Sequence, residues 1–116
     1  MKNLNRGALL VRPRELYLKW AASLDDDSSL AAEALTGHIS VYLVSDPETL
    51  DEESPDLAPY FAEIFHQELM AWSLDEEQWP SQRDLTTFRQ WFAVTAQSIV
   101  VELGDDVIEV VDDERF

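Results

Sequence analysis

From Trp20 to Gln82, 63 consecutive residues contain no Lys and no Arg, while the same stretch holds fifteen Asp and Glu. Such a segment has no cation of its own to neutralise its carboxylates. They must lie on loops and outward helical faces, and apolar burial must hold the segment together. Two elements inside it can supply that burial. From His38 to Val44 the residues alternate, Ile39, Val41 and Leu43 pointing one way and Ser40, Tyr42 and Val44 the other, which predicts a strand. Both of its sides are largely apolar, so the strand is expected at the centre of a sheet or covered on both faces. Pro59 marks the first turn of the longest helix, running to about Leu74, with Phe61, Ile64, Phe65, Leu69 and Trp72 on one side and Glu63, Gln67 and Glu68 flanking them.

The rest of the chain supplies partners for these elements. Gly7 to Arg12 is a short apolar run that stops at Pro13, which reads as a first strand entering a helix. Leu16, Trp20 and Leu24 then recur every four residues, with Tyr17 and Ala21 beside them. That helix ends at Asp25-Asp26-Asp27-Ser28-Ser29, where three like charges oppose the helix dipole. Leu30 to Leu35 can add one helical turn before Gly37. Residues 46–56 hold two prolines and six acids and form the expected mobile loop. Asp84 is a candidate cap for a helix carrying Leu85, Phe88, Trp91 and Phe92. From Val94 the pattern turns to strand, strongest at Ile99-Val100-Val101. Leu103-Gly104-Asp105-Asp106 and the β-branched run Val107 to Val111 then suggest a closing hairpin. Asp112 to Phe116 is a solvated, charged tail.

The order β-α-β-α-α-β-β specifies an α+β fold in a single domain spanning 1–116. Its expected sheet is mixed, of three to four strands, packed by about three helices, with the first two strands parallel if they share a sheet.

Of 116 residues none is Cys, which excludes disulfides, thiolate metal sites and cysteine nucleophiles. Residues 1–19 carry a net charge of +4 and residues 20–116 carry −20, within a total of −16. A surface of this sign repels nucleic-acid phosphates and anionic membranes and steers basic partners inward. No apolar run reaches the roughly twenty residues that cross a bilayer. A cytoplasmic location is the expectation.

Motifs for catalysis are absent. The two histidines, His38 and His66, sit on different elements, and the three glycines are isolated, so no phosphate-binding loop can form. Asp46, Glu48, Asp51, Glu52 and Glu53 offer oxygen ligands but lack the alternating positions and turn glycine of a calcium loop. No metal and no cofactor is expected. Glu63 stands three residues before His66 on one helix and could orient its imidazole. Arg12 and Arg14 could bind an acidic ligand, or could neutralise part of the chain's own acidic surface. Trp79, beside Pro80 and the acids Asp75, Glu76 and Glu77, reads either as an interface anchor or as a ring folded back between two helices.

Asn5-Arg6-Gly7-Ala8 with Val11-Arg12-Pro13 and Trp20, then Tyr60 to Phe65 with Trp72, Trp79-Pro80 and Trp91-Phe92, resembles a family of small uncharacterised acidic bacterial proteins. The resemblance spans most of the chain and implies one compact bacterial domain; it carries no residue role.

Three functions compete. The first is a non-enzymatic interaction domain of inhibitor, immunity or nucleic-acid-mimic type. It would present Asp46, Glu48, Asp51, Glu52, Glu53, Asp75, Glu76, Glu77 and Trp79 to a basic protein. The second is a small enzyme or ligand binder using a cleft near Arg12, Arg14, Glu63 and His66. In the third, the charge only keeps an accessory domain in solution. The chain is expected to be a monomer or a weak homodimer, with Val107 to Val111 as the edge available for pairing.

Overall fold

The computed structural model describes residues 1–24, 37–45, 47 and 50–111. The acidic triplet at Asp25, the extra turn at Leu30 to Leu35, the loop acids Asp46 and Glu48, and the charged tail from Asp112 lie outside the described residues. Along the chain run β1 (Lys2–Asn3), β2 (Gly7–Pro13), α1 (Glu15–Ala22), β3 (Ser40–Val44), α2 (Phe61–Met70), a single 3₁₀ turn (Glu76–Gln78), α3 (Leu85–Trp91), β4 (Phe92–Gln97) and β5 (Val101–Glu102). The fold is α+β, with three helices and two sheets among the described residues.

β2 is the central strand of a three-stranded sheet ordered β3-β2-β4. Both pairings are antiparallel, with Leu9 opposite Tyr42 on one side and Ala96 on the other. The expected mixed sheet with a parallel β2–β3 pair is therefore corrected. Helix α1 has eight residues and spans about 12 Å, and the long connection after it lets β3 enter the sheet at the end where β2 leaves. Ser40 accordingly stands opposite Val11. Gly37, at φ 85°, takes the left-handed conformation that glycine adopts without steric cost just before β3.

The helices cover one face of this sheet. Leu9 and Val11 are fully buried and join Tyr17, Val44, Ile64, Phe65, Leu69, Phe88, Phe92 and Ala96 in the core. The alternate residues face the other way, and those of β3 are open, Val41 59% exposed and Leu43 53%, while Ala8 and Leu10 of the central strand are buried and half-buried. The expectation that β3 is central or doubly covered fails here. Its apolar outer residues lie on an open face of an edge strand, and alternation alone does not say whether the second face has a cover. Gly7 opens β2 where a Cβ would lie 2.7 Å from Leu50 Cδ2 and 3.2 Å from the Gln97 carbonyl. Glycine lets the loop after β3 close onto the sheet.

The buried face of α1 is rotated from the expected stripe. Tyr17 and Ala21 are buried while Leu16 is 46% exposed, because the helix lays its Tyr17 ring against Phe92 (4.8 Å) and Trp91 (6.2 Å). Helix α2 begins at Phe61, with Pro59 in the turn before it rather than in its first turn, and ends at Met70 rather than Leu74, but its buried side is the predicted one. Asp84 caps α3 through its carboxylate, which accepts from the Thr87 N–H at 2.7 Å. Hydrogen bonds from Gln82 and then Thr87 hold that carboxyl below the usual carboxylate range.

Phe92 does not continue α3. It takes extended geometry and starts β4 opposite Pro13, while the Arg14 N–H donates to the Trp91 carbonyl at 2.8 Å, tying the end of α3 to the start of α1. The closing hairpin is also corrected. The run from Val94 to Val101 is split into β4 and β5, β5 pairs antiparallel with β1 rather than with Val107 to Val111, and Val107 to Val111 form no strand and are exposed. Among the described residues the β-branched run beyond Gly104 joins no sheet and is exposed, and β-propensity acts only where a strand and an apolar surface are there to pack against.

Candidate functional site

The acidic residues fall into two groups. Four carboxylates organise the backbone around them. Asp51 Oδ1 accepts from the N–H groups of Glu53 and Ser54 (3.0 and 3.2 Å), Asp56 Oδ1 from Ala58 (3.1 Å), Asp75 Oδ1 from Glu77 (3.0 Å) and Glu52 Oε2 from Ser98 (3.1 Å). Buried Leu57 and Pro55 pin this loop from below, and Arg89 donates to the Pro55 carbonyl at 3.4 Å. Aspartate side chains are suited to this work because their short arm reaches the backbone two residues on.

Glu53, Glu76 and Glu77 are different. All three are exposed, and among the described residues no hydrogen bond or ion pair reaches their carboxylates. The one ion pair among the described residues is Lys19–Glu15 (3.1 Å), on an exposed helical edge. Arg83 and Arg89 serve backbone carbonyls rather than acids. The negative charge of the described surface is thus left largely unneutralised by the chain itself.

Trp79 is no surface anchor. It is 8% exposed and belongs to the core; its Nε1–H donates to the Ser73 carbonyl (3.0 Å) and its ring meets the edge of His66 at 5.2 Å. The Arg83 guanidinium lies 5.6 Å from the ring centroid, within cation–π range. An indole beside Pro80 buries more apolar area by folding back over α2 than by standing in water, which removes Trp79 from the partner-binding set.

The alternative cleft is not assembled. Arg12 is exposed and follows buried Val11 on β2, which places it on the open face of the sheet, and Arg14 is exposed at the start of α1. His66 lines a small cavity of about 180 Å³ with Trp79, Arg83 and Glu76. Glu63 lines a different one of about 310 Å³ with Tyr42, Val44, Tyr60 and Ile64. A further cavity of about 400 Å³ adjoins the latter through Pro59 and Tyr60 and is bordered by Asp51 and Asp56. Together these two cavities form a groove between the outer edge of β3 and the start of α2.

The sequence reading missed the polar staple beside this groove. Glu68 of α2 accepts from Ser40 Oγ (2.8 Å) and Tyr42 OH (3.0 Å) through its two carboxylate oxygens, and its backbone carbonyl accepts from Tyr17 OH (2.6 Å). The staple joins α1, α2 and β3 and sets the spacing of helix and edge strand. Its sequence signal was the placement of Ser40 and Tyr42 on the Val44 side of the strand, with Glu68 one turn after Ile64. Burial first, then the nearby Glu68 charge and Tyr42, push the Tyr17 phenol well above its ordinary value.

A folded-state pKa above the unfolded value of about 10 stabilises the fold fully below that pH and loses this contribution as pH rises past it. Tyr17→Phe is therefore expected to cost about 1–2 kcal/mol near neutral pH, from the unpaired Glu68 carbonyl. It should also flatten the fall in stability above pH ~10. Urea titrations of both proteins at neutral and alkaline pH check this; parallel pH profiles would contradict it.

Among the described residues no three His, Asp or Glu side chains converge to hold a metal ion, and no helix is long and apolar enough to cross a membrane. Comparison with protein-family models, with curated proteins and with solved structures finds no match for the chain. The functional reading rests on the geometry above.

Proposed function

We propose that this is a non-enzymatic interaction domain whose acidic surface engages a basic protein. The observation that carries the reading is the set of exposed carboxylates at Glu53, Glu76 and Glu77, which form no ion pair among the described residues. Charges that are not paired internally stay available for long-range attraction and for pairing with a partner. The loops that carry them are held by Asp51, Glu52, Asp56 and Asp75 through backbone hydrogen bonds, so the surface needs little ordering on binding. An inhibitor or immunity protein, or a nucleic-acid mimic, would use such a surface.

The variant that tests the reading leaves the loop-organising carboxylates in place. Glu53→Lys, Glu76→Lys and Glu77→Lys combined are expected to preserve the fold and to weaken capture of a basic partner from native lysate by about tenfold or more. Circular dichroism and quantitative mass spectrometry of the captured proteins give the two readouts. A folded variant that retains the same basic partners undiminished would count against the proposal and favour a surface whose charge serves solubility alone.

A further inference from the structure

We infer that the cavity between α2 and residues 76–83 binds a small zwitterion of the free amino acid class. Ala62, Phe65, His66, Glu76, Trp79 and Arg83 line it, all within the continuous described stretch 50–111. A guanidinium and a carboxylate thus border one small space, and they do not pair with each other, since the ion pair among the described residues is Lys19–Glu15. Arg83 is engaged elsewhere: it donates to the Pro80 carbonyl at 3.0 Å, with its guanidinium 5.6 Å from the Trp79 ring centroid. The rest of its planar fork is open, the geometry that grips a carboxylate. His66 meets the Trp79 ring at 5.2 Å and forms no hydrogen bond among the described residues, so its ring nitrogens are free for a ligand.

A ligand of one sign meets repulsion in this space. An anion on Arg83 would face Glu76 and a cation on Glu76 would face Arg83, whereas a molecule carrying both charges satisfies each. The volume, about 180 Å³, equals roughly six waters at about 30 Å³ each, which admits a free amino acid and excludes a folded or extended peptide. Ala62, Phe65 and Trp79 supply an apolar wall for a short aliphatic side chain. The walls are set before a ligand arrives. The Trp79 Nε1–H donates to the Ser73 carbonyl (3.0 Å), the Trp20 Nε1–H donates to the Gln78 carbonyl (2.8 Å), and Asp75 caps the 3₁₀ turn that carries Glu76, so binding orders little. The inference goes beyond the acidic-surface reading and does not depend on it, although Glu76 belongs to both.

The test titrates the purified full chain with L-leucine, with isocaproate, which is leucine without its ammonium, and with isoamylamine, which is leucine without its carboxylate. Backbone and indole N–H shifts in nuclear magnetic resonance spectra report affinity and place. L-leucine is expected to bind with a Kd of about 1 mM or below, each analogue about tenfold more weakly, and the shifts to centre on His66, Glu76, Trp79 and Arg83. Arg83→Gln should erase the preference for leucine over isoamylamine, and Glu76→Gln the preference for leucine over isocaproate. Both side chains are exposed, so neither change should disturb the fold, which circular dichroism checks. Absence of leucine binding, an analogue that binds as tightly as leucine, shifts centred away from these residues, or folded variants that keep both preferences would each overturn the inference. All of these outcomes are read without a protein partner and leave the acidic-surface reading standing.

Discussion

Phe65→Ala is expected to remove roughly 3–5 kcal/mol of stability and to lower Tm by roughly 10–25 °C. Phe65 is 1% exposed and lies at the middle of the helical layer. Its ring meets Phe88 at 5.6 Å, Trp91 at 5.7 Å and Phe92 at 5.7 Å, so one side chain joins α2, α3 and the first residue of β4. Truncation removes the transfer free energy of the ring and leaves a cavity walled by other rings, which are too rigid to collapse into it. Domains of this size are stable by about 5–15 kcal/mol, so the loss is a large share of the total. Differential scanning calorimetry checks it; a fall of only a few degrees would mean that the aromatic layer repacks and that Phe65 is not its centre.

Leu9→Ala is expected to cost about 2–5 kcal/mol, against about 1 kcal/mol for Leu10→Ala one position along the same strand. Leu9 is fully buried between Tyr42 and Ala96 under the helices, whereas Leu10 is half-buried on the open face. The pair tests the layering itself, because adjacent residues of a strand report on opposite faces. Denaturant titration of the two variants gives the difference. Equal losses would show that the second face of the sheet is covered as well.

The elements with strong local signals were legible in the sequence. Gly7 to Arg12 as a strand, the inward set Ile64, Phe65 and Leu69, and the Asp84 cap follow from side-chain periodicity or from the chemistry of helix ends and stand in the structure, whereas Pro13, expected in the first turn of α1, closes β2 opposite Phe92 and the helix begins at Glu15. Pairing was not legible. Whether β3 runs parallel or antiparallel to β2, and whether the strand at Val101 pairs with the run after Gly104 or with β1, depends on contacts distant in sequence, which no local pattern encodes. Strand β3 shows the same limit, since apolar residues on both sides are compatible with a covered central strand and with the outer strand it is in the order β3-β2-β4.

The candidate site was legible in part. The excess of acid was plain from the composition; the division of labour within it was not. Asp51, Asp56 and Asp75 read as surface charge, yet each binds backbone N–H groups close by, a role that depends on turn geometry. Trp79 beside a proline and acids looked equally like an anchor or a core ring, and only its contacts with Ser73, His66 and Arg83 decide for the core. Glu68 was read as flanking the apolar stripe, and its hydroxyl partners sit on a strand 26 and 28 residues earlier in the chain.

The central claim is that uncompensated negative charge on this domain serves recognition, and salt dependence reports on it most directly. Capture of the partner by the wild-type chain is to be measured from about 0.1 M ionic strength, where the screening length is about 10 Å, to about 1 M, where it is about 3 Å. The account predicts a basic partner whose retained fraction falls about tenfold or more over that range, with a shallower fall for the Glu53, Glu76 and Glu77 reversal. A partner of neutral or acidic character, or one whose retention is unaffected by salt, would contradict it.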